Sequence, residues 1–271
     1  MGRPWVVFIV YVTAVVLIVF VSGLALITLR AWSPDVPDGD LAQSLPGLLA
    51  GSLASSAALL LTVVLAERSL EPARLGLVPG RETSRALAVM VVGMLALGQA
   101  LDSGSQLLGV HDAGTMALVR RALQGAVGPE LVAALIVIGV AAGAAEEIFF
   151  RGVMQRRLRF FWRPLWAILV TSAAFAVLHV DAHGVHVVLA FALSLYLGFV
   201  VEASRSILPA IVCHVVNNVV FTLQVAFGWS VLSRQTNLAL AVAGAVAFLG
   251  CLAWLRRELA ATPPATPPAT P

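Results

Sequence analysis

Apolar residues run along this chain in long blocks separated by short polar stretches, and few charged positions interrupt any block. A helix needs about 20 apolar residues to cross the hydrocarbon core of a bilayer. Eight segments reach or approach that length: about 5–29, 43–66, 86–108, 131–154, 164–180, 186–201, 207–227 and 237–255. Unpaired backbone groups are too costly in lipid, so such segments must be helical. The pattern predicts an all-α, polytopic membrane protein, an eight-helix transmembrane bundle. The fifth and sixth segments are short, as expected of helices that tilt or pack inside a bundle. The third turns polar at its end, with Asp102, Ser103, Gly104 and Ser105. Arg3 precedes the first block as it would in a signal peptide. The run from Trp5 to Leu29 nevertheless far exceeds an h-region of about 7–15 residues, and it reads as a membrane helix.

Composition agrees with the pattern and adds an orientation. Hydrophobic residues make up 60% of the chain and charged ones 11%, against about 25% charged in soluble domains. Every basic residue is an arginine. With the N-terminus placed in the cytoplasm, twelve arginines fall inside: Arg3, Arg68, Arg74, Arg81, Arg85, Arg156, Arg157, Arg159, Arg163, Arg205, Arg256 and Arg257. Four fall outside: Arg30, Arg120, Arg121 and Arg234. The asymmetry satisfies the positive-inside rule and predicts a multi-pass protein of the cell membrane with both termini cytoplasmic. The net charge of +3 gives no basic surface suited to nucleic acid. Cys213 and Cys251 lie in separate apolar runs, which argues against a disulfide or a thiolate metal site. Residues 1–260 read as one transmembrane domain, and 261–271, ATPPATPPATP, as a disordered Pro-rich tail.

Against this apolar background the fourth segment carries Glu146, Glu147 and Arg151. An ionisable group at mid-membrane costs about 3 kcal/mol or more and marks a functional site by default. Glu147 and Arg151 stand four apart on one helix face and suit an ion pair. Glu146 points about 100° away and is left available as a base. The competing reading has both carboxylates bracing the bundle, although one would suffice for one guanidinium.

Two other segments contribute polar pairs at the same spacing. Phe175 and His179 stack on the fifth; His214 and Asn218 share a face of the seventh. That second pair could aim two donors at one substrate oxygen, or could serve interhelical hydrogen bonding. Asn217 points elsewhere and reads as packing. At 1.5 Å per residue, Glu146 lies roughly 15 Å above Arg156, and His214 and Asn218 roughly 12 and 18 Å above Ser206. His179 comes out deeper, roughly 22 Å above Pro164. The run Asp181, His183 and His186 reads as a solvated outer turn because of Gly184 and its polar character; His179 and His183 have metal-ligand spacing on a helix, but HxxxH without the HExxH glutamate is a weak signal.

Taken in order, EEIFFR (Glu146–Arg151), FAVLH (Phe175–His179) and HVVNN (His214–Asn218) resemble the CPBP family, the CAAX proteases and bacteriocin-processing enzymes also called ABI proteins. The family signature reads EExxxR, FxxxH and HxxxN on separate membrane helices. RSILPAIVCH, leading into His214, and Gly152 after the arginine resemble it too. The likeness covers about residues 125–225.

The resemblance implies an eight-helix intramembrane endopeptidase that hydrolyses a peptide bond of a membrane-anchored protein or peptide, with activated water and no serine or cysteine nucleophile. It implies Glu146 as general base helped by His179, His214 and Asn218 as oxyanion donors, and Glu147, Arg151 and Phe175 as support. A non-proteolytic scaffold or immunity protein of the same fold is the alternative, and a proton-coupled transporter a third. No internal repeat of the transporter kind is visible. Glu146, His179 and His214 also form a His₂Glu set that would suit zinc or another divalent metal. As a ligand Glu146 could not also act as a free base, so the balance favours hydrolysis without metal.

Overall fold

The computed structural model describes residues 3–181, 183–229 and 232–261, with side chains to residue 258. The described residues are helical with short connections and contain no strand. The helices are α1 Trp5–Trp32, α2 Asp38–Gln43, α3 Leu45–Ala66, α4 Pro72–Leu75, α5 Ser84–Leu107 and α6 Gly114–Leu123. There follow α7 Gly128–Arg159, α8 Pro164–Val177, α9 Val185–Ser204, α10 Leu208–Ala226 and α11 Arg234–Ala261. The tail expected to be disordered lies outside the described residues from 262 onward.

Seven of these helices are long and apolar enough to cross a membrane. The expected eighth, α8, has 14 residues. Its length of about 21 Å falls short of a hydrocarbon core of about 30 Å. The apolar run 164–180 overstated it because Leu178, His179 and Val180 lie in the turn that ends the helix. Short polar-flanked helices α2, α4 and α6 occupy connections that the hydropathy pattern left blank.

Local signals set the boundaries. Ser44 and Thr83 cap α3 and α5, each side chain accepting the N–H three residues on, from Gly47 and Ala86. Proline occupies the first turns of α3, α8 and α10, where its missing N–H costs nothing. The long helix α7 is not uniform. Leu135–Ala142 and Ile148–Gln155 are π-helical, wider turns that bracket Gly143–Glu147. Such turns are rare and concentrate at functional sites.

Helix α7 forms the axis of the fold. It packs on α3, α8 and α10; α1 lies along α3, α11 along α5, and α8 along α9. Phe149, Phe150, Val153 and Met154 of α7 are fully buried, whereas α1 and α11 turn Val16, Val19, Phe20, Val242 and Val246 outward. An apolar exterior is what a lipid solvent demands. Glycine brings α7 close to α10. A Cβ at Gly139 would lie 2.8 Å from Val219, and one at Gly143 3.4 Å from Val215. Small residues at a helix crossing permit this approach, and it carries the two glutamates up to His214.

Candidate active site

At the α7–α10 crossing, Glu147 is fully buried and has two partners. Its Oε2 lies 3.1 Å from Arg151 Nε and its Oε1 2.8 Å from His214 Nδ1. The first is an ionic contact without aligned hydrogen-bond geometry; the second is a hydrogen bond in which Nδ1–H donates to the carboxylate. Arg151 is itself fully buried. One of its terminal nitrogens donates to the Ser194 hydroxyl at 2.8 Å and the Ser194 carbonyl at 3.0 Å, and its guanidinium lies 5.3 Å from the Phe175 ring centroid. A buried arginine needs a counter-charge, further acceptors or an aromatic face. This one has all three.

Glu146 meets the other edge of the same imidazole. Its Oε2 is 3.6 Å from His214 Nε2, and its side chain is 22% exposed against 0% for Glu147. His214 therefore stands between two carboxylates, one locked and one facing open space. The sequence argument separated the glutamates by helix face but could not supply His214, because that contact joins residues 67 apart.

His179 is tied to its own helix: Nδ1 pairs with the Phe175 carbonyl at 2.9 Å. The side chain folds back along the helix by about one turn, which accounts for the extra depth counted to its Cα. Its ring lies 4.6 Å from Phe175, whose other neighbour is His214 at 6.0 Å. Asn218 Nδ2 donates one hydrogen to the Ile138 carbonyl at 3.2 Å, inside the first π-helical stretch. The other amide hydrogen is not used there. Asn217, expected as packing, presents its Oδ1 to the backbone at Gly98, where a Cβ would be only 2.5 Å away.

These groups line one cavity of about 960 Å³. Glu146, His179, His214 and Asn218 lie in its wall, which continues past Gln99 to Asp102 and Thr115. Most of the rest is apolar, including Leu59, Leu95, Leu193 and Phe221. His186 also lines it and packs its ring on His179 at 4.7 Å. Expecting His186 in a solvated turn was therefore mistaken, because Gly184 ends the turn and α9 begins before it. Asp181 and His183 do lie in that turn. Asp181 accepts N–H bonds from Thr115, His183 and Gly184. The Thr115 bond, reinforced by the other two, holds its carboxyl below the usual carboxylate range.

Whether a metal suits this site depends on its donors. His214 Nδ1 is held by Glu147 and His179 Nδ1 by Phe175, which orients both rings and leaves each Nε2 as the nitrogen that could ligate. Among the described residues no three His, Cys, Asp or Glu side chains converge as a ligand set. The arrangement of Glu146, His179 and His214 does not fit a metal as it stands.

A polytopic helical protein with a carboxylate–imidazole site facing an internal cavity is the class so defined. Residues 128–220 match the family described as type II CAAX prenyl endopeptidase Rce1-like. That segment, which holds all three motifs, is similar to the CAAX protease family. No curated protein and no solved structure matches.

Proposed function

We propose that the protein hydrolyses a peptide bond of a membrane-associated protein or peptide, with Glu146 as the base that activates water. The observation that carries this reading is the placement of His214 between a locked Glu147 and a cavity-facing Glu146. Charge balance supports it. Glu146, Glu147 and Arg151 sum to −1, and one proton shared between Glu146 and His214 brings the buried group to zero, the state favoured away from water.

The chemistry follows from that balance. As water attacks the carbonyl carbon, its proton passes to Glu146. With His214 doubly protonated, the four groups then carry +1 beside an oxyanion of −1. His214 Nε2–H and the second amide hydrogen of Asn218 supply donors to that oxygen, a contribution of about 3–4 kcal/mol per well-placed donor. When the C–N bond breaks, Glu146 returns its proton to the leaving amine. His179 lines the same cavity and assists from its Nε2. Apolar walls suit a hydrophobic peptide segment, and both termini on the arginine-rich side is the orientation that goes with this reading.

The test is reporter-peptide hydrolysis by purified protein in detergent. Glu146→Gln should lower hydrolysis by about 10²–10⁴-fold at normal folded yield. A cellular phenotype that survives Glu146→Gln, His179→Ala and His214→Ala at normal expression would favour the scaffold instead.

A further inference from the structure

A second, smaller cavity of about 310 Å³ lies at the end of the bundle that carries the α5–α6 and α10–α11 connections. Its wall is unusually rich in donors: His111, Arg120, Arg121 and Gln124, with Asp112 as its one carboxylate. The floor comes from the end of α10, at Val225 and Gly228. Arg120 binds Asp102 and stacks 5.5 Å from the Phe221 centroid, yet its Nε is buried without a hydrogen-bond partner. His111 gives Nε2 to Asp112 at 2.9 Å, which leaves its buried Nδ1 unpartnered as well. Both nitrogens are closed off from the cavity, so a further polar group there would accept from the open N–H groups of Arg120, Arg121 and Gln124.

Its level in the membrane narrows what that group is. Phe227 and Trp229, with rings 5.2 Å apart, are exposed beside Gly228, and Leu108 is 78% exposed where α5 ends. Exposed aromatic residues at the end of a span mark the headgroup region. Phosphate is the abundant anion there, and guanidinium groups match its oxygens in pairs. We propose that this pocket binds the phosphate of a phospholipid headgroup, with Arg120 and Arg121 as principal donors and His111 and Gln124 completing the shell. The inference does not depend on the peptidase reading. Arg120 also reaches Asp102 in the wall of the large cavity, so the bound headgroup would sit one residue from its rim.

Thermal unfolding of the full chain in neutral detergent tests it, with three probes: short-chain phosphatidylglycerol, diacylglycerol of the same chains, and inorganic phosphate. Phosphatidylglycerol at about a hundred times its Kd should raise Tm by on the order of 5 °C. The other two probes should have little effect. Arg121→Gln changes an exposed side chain and should fold normally while weakening phosphatidylglycerol binding roughly tenfold or more. Equal stabilisation by diacylglycerol would show apolar binding only and overturn the proposal. Equal stabilisation by inorganic phosphate would make this a free-anion site and overturn the lipid assignment. An unchanged Kd in Arg121→Gln and Gln124→Ala would overturn the pocket as the place of binding.

Discussion

Helix α7 carries carboxylate–arginine contacts in two settings. At mid-helix, Glu147 and Arg151 are 0% and 1% exposed at 3.1 Å. At its arginine-rich end, Arg157 reaches Glu67 at 2.9 Å and Arg159 reaches Glu202 at 3.0 Å, with side chains 18–27% exposed. Distances are alike, and the surroundings decide the energy. Leaving one charge of a buried pair alone costs about 3–5 kcal/mol, whereas a solvent-reached pair contributes about 0–1 kcal/mol. One kind of contact fixes the frame around His214; the other ties helix ends together where solvent reaches them.

The sharpest way to break this comparison is Glu147→Ala. It strips Arg151 of its counter-charge and His214 of its orienting acceptor, and should cost about 3–5 kcal/mol, read as lost folded yield and lowered Tm. Wild-type stability in that variant would refute the buried frame. Glu146→Gln comes next. It keeps the shape and should lower hydrolysis by about 10²–10⁴-fold while moving stability by only about 1 kcal/mol. Residual hydrolysis at wild-type rate would exclude Glu146 as the base. Glu202→Gln probes the exposed setting and should shift stability by less than about 1 kcal/mol, with activity intact; a loss as large as that of Glu147→Ala would erase the distinction.

Orientation is checked by labelling. In a background with Cys213 and Cys251 replaced, cysteines at Asp38 and at Val127, which is 65% exposed, should react with impermeant reagents from outside. One at Arg159 should react only after lysis.

The smallest effect concerns pH. Asp181 has a depressed pKa, so its share of stability is present above the unfolded-state pKa and fades as pH falls through the lower folded value. Amide exchange at Thr115, His183 and Gly184 should rise only below the usual carboxylate range. Asp181→Asn should remove that acid step.

Much of this was legible in the sequence because the informative spacings were local. Four residues put Glu147 beside Arg151 and Phe175 beside His179 whatever the tertiary fold, and hydropathy found every long helix. What stayed hidden depends on distant partners. Glu147 binding His214 and Asn218 binding Ile138 require the α7–α10 crossing, and the smaller cavity requires α6 to meet the end of α10. The π-helical stretches left no mark either, since Leu135–Ala142 reads as ordinary apolar helix. Glycine at 139 and 143 was the one available signal of a close crossing.

The shortness of α8 also bears on hydration. A helix of about 21 Å starting beside Arg163 ends several ångströms before the far edge of a hydrocarbon core of about 30 Å. The described residues of the turn that follows, 178–181 and 183–184, therefore need water or protein cover for their backbone, because bare backbone is intolerable in lipid. Asp181 accepts two of the N–H groups there, from His183 and Gly184, and ties the turn to α6 by accepting the N–H of Thr115. Such hydrophobic mismatch is relieved when lipids thin around the short helix. Such thinning over His179 would shorten the distance that water must travel from bulk to Glu146. On the proposed peptidase reading, lipids with longer acyl chains should then slow hydrolysis.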